Sequence, residues 1–130
     1  MPIKKIVLVR RKAGLTPEQF RDGYENSHAR IAVKLFGHLW LSYTRNYLRP
    51  GRCFKTGQYD NVETMGFDAI SEFVLPDEAA WDEMNRIAAA NVTLIKEDEA
   101  RWFEQMHCWL ADCEPIAEDL SGLPRLAGSA

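Results

Sequence analysis

Apolar and polar positions change period several times along the chain, and each change marks an element. Residues 3–10 are rich in β-branched side chains, and Ile6 and Leu8 alternate with Val7 and Val9, so the strand they predict is apolar on both faces and covered on two sides. Lys12-Ala13-Gly14-Leu15 breaks that run. Thr16-Pro17-Glu18-Gln19 then supplies an N-cap, a proline at the first helical position and a glutamine placed to close a capping box, which predicts a helix from Pro17. Phe20, Tyr24, His28, Ile31 and Leu35 follow at steps of four, four, three and four, forming one stripe toward the core until Gly37.

Trp40 to Leu48 predicts a second strand, with Leu41, Tyr43, Arg45 and Tyr47 on one face and Trp40, Ser42, Thr44, Asn46 and Leu48 on the other. Residues 49–66 carry Pro50, Gly51, Gly57 and Gly66 without a steady period and predict a long loop of the kind that often serves as a lid. A third strand follows from Phe67 to Leu75, and Pro76-Asp77-Glu78 caps a second helix running to about Ala90. Residues 94–103 predict a shorter helix and Phe103 to Ala111 a final strand.

Strand, helix, strand, strand, helix, strand is the split βαβ order of an α+β, ferredoxin-like fold, a four-stranded antiparallel sheet with helices on one face. The apolar residues of the other face need a cover, and a second copy of the sheet is the natural one, so a homodimer forming a dimeric α+β barrel is expected. Residues 1–112 make that domain. Residues 113–130, with Pro115, Gly122, Pro124 and Gly128, leave the sheet as a C-terminal tail or a dimer-embracing arm.

Composition narrows the partners. At 130 residues, 46% hydrophobic and 27% charged, the chain suits one packed domain. A net charge of -3 offers no basic field for a phosphate backbone, so nucleic acid is not an expected partner. Nothing in the sequence reads as a signal peptide or a membrane span, and Cys53, Cys108 and Cys113 match no disulfide framework, so a cytoplasmic protein with reduced thiols is expected.

GxSxG, Walker, GxGxxG, HExxH and CxxCH motifs are absent, which points away from a tightly bound nucleotide, a serine-hydrolase mechanism and c-type haem. Flavin is not excluded by motif alone, but nothing asks for it, and no cofactor is expected. His28 is the first candidate, because an imidazole accepts and donates protons near neutrality, and Tyr24 one turn earlier sets a phenol beside it. A core histidine fixing the helix to the sheet fits the same position. Asp68 and Glu72 share a strand face roughly 13 Å apart at about 3.3 Å per residue, too far to share a proton. Either one could orient His28 or act alone as a base, and a solvated or ion-paired carboxylate is the competing reading.

Tyr43, Arg45 and Tyr47 on one face of the second strand, and Trp40 on the other, offer aromatic area with polar tips for a planar ligand, or ordinary core packing. His107 and Trp109 share a face of the last strand. His107 beside Cys108 does not make a metal site, since neighbouring strand residues point apart and zinc needs three or four convergent ligands. The acidic run Lys96-Glu97-Asp98-Glu99 reads as a solvated helix start.

The run Leu8 to Phe20, followed by Tyr24-Glu25-Asn26 and His28-Ala29, resembles the opening of the EthD family, and Tyr43 to Asn46 and Phe67 to Phe73 are similar to its second and third strands. The resemblance implies a small dimeric α+β barrel associated with breakdown of ethers and other organic compounds in bacteria, and with dehydration or oxidation of aromatic polyketides in fungal relatives. The expected function is therefore cofactor-independent acid/base chemistry (dehydration, isomerisation or cyclisation) on a small aromatic or apolar substrate. His28 would be the acid or base, Tyr24 and Tyr43 the hydrogen-bond donors, and Asp68 or Glu72 the orienting carboxylate. A cofactor-free oxidoreductase and a non-catalytic binding protein serving a neighbouring oxygenase are the rival expectations.

Overall fold

A computed structural model describes residues 1–55, 58–62 and 65–127. Its strands are β1 (Ile3–Val9), β2 (Ser42–Tyr47), β3 (Gly51–Lys55), β4 (Gln58–Val62), β5 (Ala69–Leu75) and β6 (Trp109–Cys113). Its α-helices are α1 (Pro17–Gly23), α2 (Ala29–Phe36), α3 (Glu78–Ala90) and α4 (Val92–Trp102). The main sheet has the order β2-β5-β1-β6 with each neighbouring pair antiparallel, the ferredoxin-like arrangement that the sequence predicts.

Register fixes what each face carries. Val7 pairs with Ser71 and Leu110, Val9 with Ala69, and Tyr43 with Phe73, so these side chains share the face that the helices cover. Ile6, Leu8, Ile70, Glu72 and Val74 lie on the opposite face, which no helix covers among the described residues. Val9, Phe20, Tyr24, Ala29, Ala69 and Phe103 form the main buried cluster, and Phe73, Leu75 and Ala80 a second one beside it.

The first helix starts as predicted. Thr16 accepts from the Gln19 amide at 3.1 Å while the Gln19 side chain accepts from the Thr16 amide at 2.9 Å, completing the capping box. The helix does not continue evenly. Tyr24–His28 form a π-turn, closed by the Ala29 amide on the Tyr24 carbonyl. In an α-helix a step of four residues overshoots a full turn by about 40°, so a stripe kept at steps of four soon rotates away. The wider turn takes up that drift, and the inward residues become Tyr24, His28, Ala32 and Phe36. Ile31 and Leu35, which regular helical spacing puts inward, stay half-buried instead.

Two other segments differ from expectation. The stretch predicted as a loop over 49–66 contains the hairpin β3–β4, a separate two-stranded sheet, with Gly57 outside the described residues. The final strand begins later than Phe103. Phe103 is buried against the core and bridges Arg11, residues Gln105–His107 make a 3₁₀ turn, and β6 runs from Trp109 to Cys113. The Lys12 amide on the Trp102 carbonyl and the Glu104 amide on the Arg10 carbonyl, both 2.9 Å, hold this crossing to the end of β1.

Gly23 lets α1 and α4 meet closely. A Cβ there would stand 2.1 Å from the Trp102 ring, so the indole packs where any other side chain would be.

Candidate active site

A cavity of about 340 Å³ lies between the helices and the sheet. Val7, Tyr43 and Phe73 line it from the sheet, Met84 and Ala88 from α3, and the stripe that includes His28 from the first helix. The π-turn brings Tyr24 and His28 to this cavity together, with ring centroids 5.7 Å apart and edge to face. The His28 ring also meets Phe103 at 4.8 Å.

Asp98 on α4 holds His28. Its carboxylate lies 3.1 Å from His28 Nδ1, accepts from the Ser27 hydroxyl at 2.6 Å and from the Trp102 indole at 3.4 Å, and is 3% exposed. A carboxylate beside Nδ1 favours the tautomer protonated there and leaves the Nε2 lone pair available. Nε2 has no hydrogen-bond partner among the described residues, and His28 borders the cavity. An imidazole so held can accept a proton and return it.

Phenols supply the neighbouring donors. Tyr24 shares a 2.7 Å hydrogen bond with Ser71, whose side chain is wholly buried at the centre of the sheet. Burial raises both phenols, Tyr43 well above its ordinary range with the nearby Tyr24 adding to the rise, so both remain protonated near neutrality. Tyr43 borders the cavity, and so does Trp40. The Trp40 ring stacks on Phe73 at 4.8 Å and meets Tyr43 at 4.6 Å, which puts it on the helix-covered side rather than the far face. It precedes β2, so strand alternation does not govern it. Its indole N–H is buried and meets no acceptor among the described residues.

The remaining predicted residues go elsewhere. Arg45 chelates Glu25 through Nε at 2.6 Å and Nη2 at 2.7 Å, and the Tyr47 hydroxyl donates to the same carboxylate. The Arg45 hydrogen bonds hold Glu25 down to about 2, with Tyr47 contributing, while burial and the Glu25 contact push Tyr47 up. Neither Arg45 nor Tyr47 borders the cavity. Asp68 is not near His28. It accepts from the Arg11 amide at 2.8 Å and pairs with Arg11 Nε at 3.4 Å. Glu72 lies on the uncovered face, 3.3 Å from Lys4. His107 is exposed in the 3₁₀ turn, whereas Trp109 borders the cavity although 58% exposed.

Sequence reasoning missed Asp98 and Ser71. It also missed a polar cluster bordering the cavity, where Lys96 and Gln105 both contact Glu99 at 3.2 Å. Cys108 lies nearby with its thiol pushed up by burial. Among the described residues no group of His, Cys, Asp and Glu is placed to hold a metal ion, and no helix is long and apolar enough to cross a membrane.

Comparison with known proteins follows the same outline. A sequence profile described as the EthD domain matches residues 12–105. An EthD-like protein from Ralstonia eutropha is 15% identical, with a TM-score of 0.60 over 92% of this chain and 96% of that one. A Dabb family protein with a ferredoxin-like fold from Mesorhizobium loti is 15% identical at a TM-score of 0.51, covering 89% and 98%. A dimeric protein of unknown function with a ferredoxin-like fold from Bacteroides fragilis is 11% identical at 0.50, covering 87% and 95%. No functionally curated protein matches the chain.

Proposed function

The chain belongs to the EthD domain family, and from that premise we propose that it is an enzyme moving protons on a small apolar or aromatic molecule held in the His28 cavity. The observation that carries this reading is the His28 imidazole, held at Nδ1 by a buried carboxylate and facing a cavity bordered mainly by apolar side chains. Nε2 takes the proton from a substrate C–H or O–H and returns it to the leaving group or to a second position. Tyr43, which borders the cavity and is kept neutral by burial, donates to a substrate oxygen on which charge develops. Asp98 takes the orienting part for which Asp68 and Glu72 were the sequence candidates.

Such a cycle needs no bound cofactor and corresponds to dehydration, isomerisation or cyclisation. A cavity of about 340 Å³ falls at the low end of small-molecule sites, which supports a compact substrate. The apolar uncovered sheet face, and the description of the Bacteroides fragilis relative as dimeric, support a homodimer.

The test is His28→Ala, shown to be folded by circular dichroism and assayed against a panel of hydroxylated and carbonyl-bearing aromatic compounds. Turnover should fall about 10²- to 10⁴-fold, the usual weight of a general acid or base. Undiminished turnover by the folded variant would remove the mechanism.

A further inference from the structure

A second concavity, of about 670 Å³, shares no lining residue with the His28 cavity. The rings of Phe20 and Tyr47 form part of its wall and pack edge-on against Tyr24 at 5.9 and 5.7 Å, so a layer of aromatic rings separates the two spaces. Three arginines from three different segments border it: Arg11 after β1, Arg21 on α1 and Arg49 after β2.

The charges do not cancel. Two carboxylates, Glu18 and Asp68, border the groove, and Asp68 is already engaged by the Arg11 amide and Nε. The Arg11 guanidinium is fixed further by donating to the Leu15 carbonyl at 2.5 Å. Arg21 lies 5.4 Å over the Tyr47 ring, and neither Arg21 nor Arg49 forms an ion pair among the described residues. Positive charge is therefore in local excess in a chain whose net charge is -3. The surrounding walls are apolar and flat: Pro17, Phe20, Tyr47, Leu48 and Pro50.

We propose that this groove binds a small organic carboxylate with a flat apolar body. The carboxylate would lie between the Arg21 and Arg49 guanidinium forks, whose planar donors match its two oxygens, and the body would rest against Tyr47 and the prolines. Arg11, whose charge Asp68 offsets and whose guanidinium is fixed on the Leu15 carbonyl, adds a polar wall that needs no ordering on binding. The site is independent of the proton-transfer reading and stands or falls without it.

The experiment is a titration of the ¹⁵N-labelled full chain with benzoate, followed by amide shifts and repeated with inorganic phosphate and with the Arg21→Gln/Arg49→Gln double variant. Both arginines are exposed, so the variant should keep the native amide spectrum elsewhere. The proposal expects saturable benzoate shifts at the amides of Leu48, Arg49 and Asp68. It expects weaker binding of phosphate, and a loss of benzoate affinity of at least about tenfold in the double variant. Shifts confined to the amides around His28, an affinity unchanged in the double variant, phosphate binding more tightly than benzoate, or no saturation at all would each overturn it.

Discussion

Asp98 and His28 are 70 residues apart in the chain and 3.1 Å apart in space, and with the 2.6 Å bond from Ser27 to the same carboxylate this contact fastens α4 to the π-turn of the first helix. The turn puts the imidazole on the cavity and the carboxylate sets its tautomer. Substituting Asp98→Asn keeps the size of the side chain but introduces a donor opposite Nδ1, which favours protonation at Nε2 and removes the lone pair that faces the cavity. The expected loss is at least about 10²-fold in kcat, with KM little changed, because the substitution affects the base rather than substrate contact. Steady-state kinetics on any substrate turned over by the natural protein checks the split.

Acid sensitivity should carry a contribution from Glu25. Its pKa is lowered from 4.5 to about 2 by the hydrogen bonds from Arg45, with Tyr47 adding to them. A group whose folded-state pKa is depressed adds stability that is fully present above the unfolded value and is lost as pH falls through the folded one. The loss attributable to Glu25 therefore falls between about pH 4.5 and 2. Glu25→Gln should be less stable than the natural chain near neutrality and show a shallower decline across that window in denaturant melts.

Gly23→Ala sets two effects against each other. The site has helical angles, φ -64° and ψ -44°, so alanine alone would favour the helix by about 1 kcal/mol. The new Cβ would stand 2.1 to 2.4 Å from atoms of the Trp102 ring, and overpacking of that kind costs about 1–3 kcal/mol. The net change should be destabilising in urea unfolding. It should also shift the Trp102 fluorescence and the resonances of Asp98, since the indole donates to that carboxylate.

The uncovered sheet face predicts the quaternary state. Ile6, Leu8, Ile70 and Val74 project from it. Sedimentation of the natural chain at micromolar concentration should give a dimer, and Ile70→Asp, which buries a charge in the expected contact, should give a folded monomer. A natural chain that sediments as a compact monomer would refute the pairing.

The strand order, the capped helix and the pairing of Tyr24 with His28 were legible in the sequence because each rests on local spacing. The shift from Ile31 and Leu35 to Ala32 and Phe36 was not, because no residue preference marks an extra residue in one helical turn. Asp98 left a signal that charge concealed. It lies three residues after Ile95 and four before Trp102, both inward on α4, yet the run from Lys96 to Glu99 reads as solvated. Trp40 departs from the face that strand alternation predicts because it precedes the strand's first residue, Ser42, and the alternation does not reach it. The hairpin β3–β4 was hidden by its flanking glycines, which mark turns but do not reveal the short strands between them.

The central claim is that His28 presents an unprotonated Nε2 to the cavity because Asp98 holds the proton on Nδ1. Long-range ¹H–¹⁵N spectra of the imidazole, recorded where the ring is neutral, read this directly. The account predicts an Nε2 resonance in the acceptor range and Nδ1 in the donor range for the natural chain, with the pattern lost in Asp98→Asn. A neutral ring protonated at Nε2, or a pattern unchanged by the substitution, would contradict it.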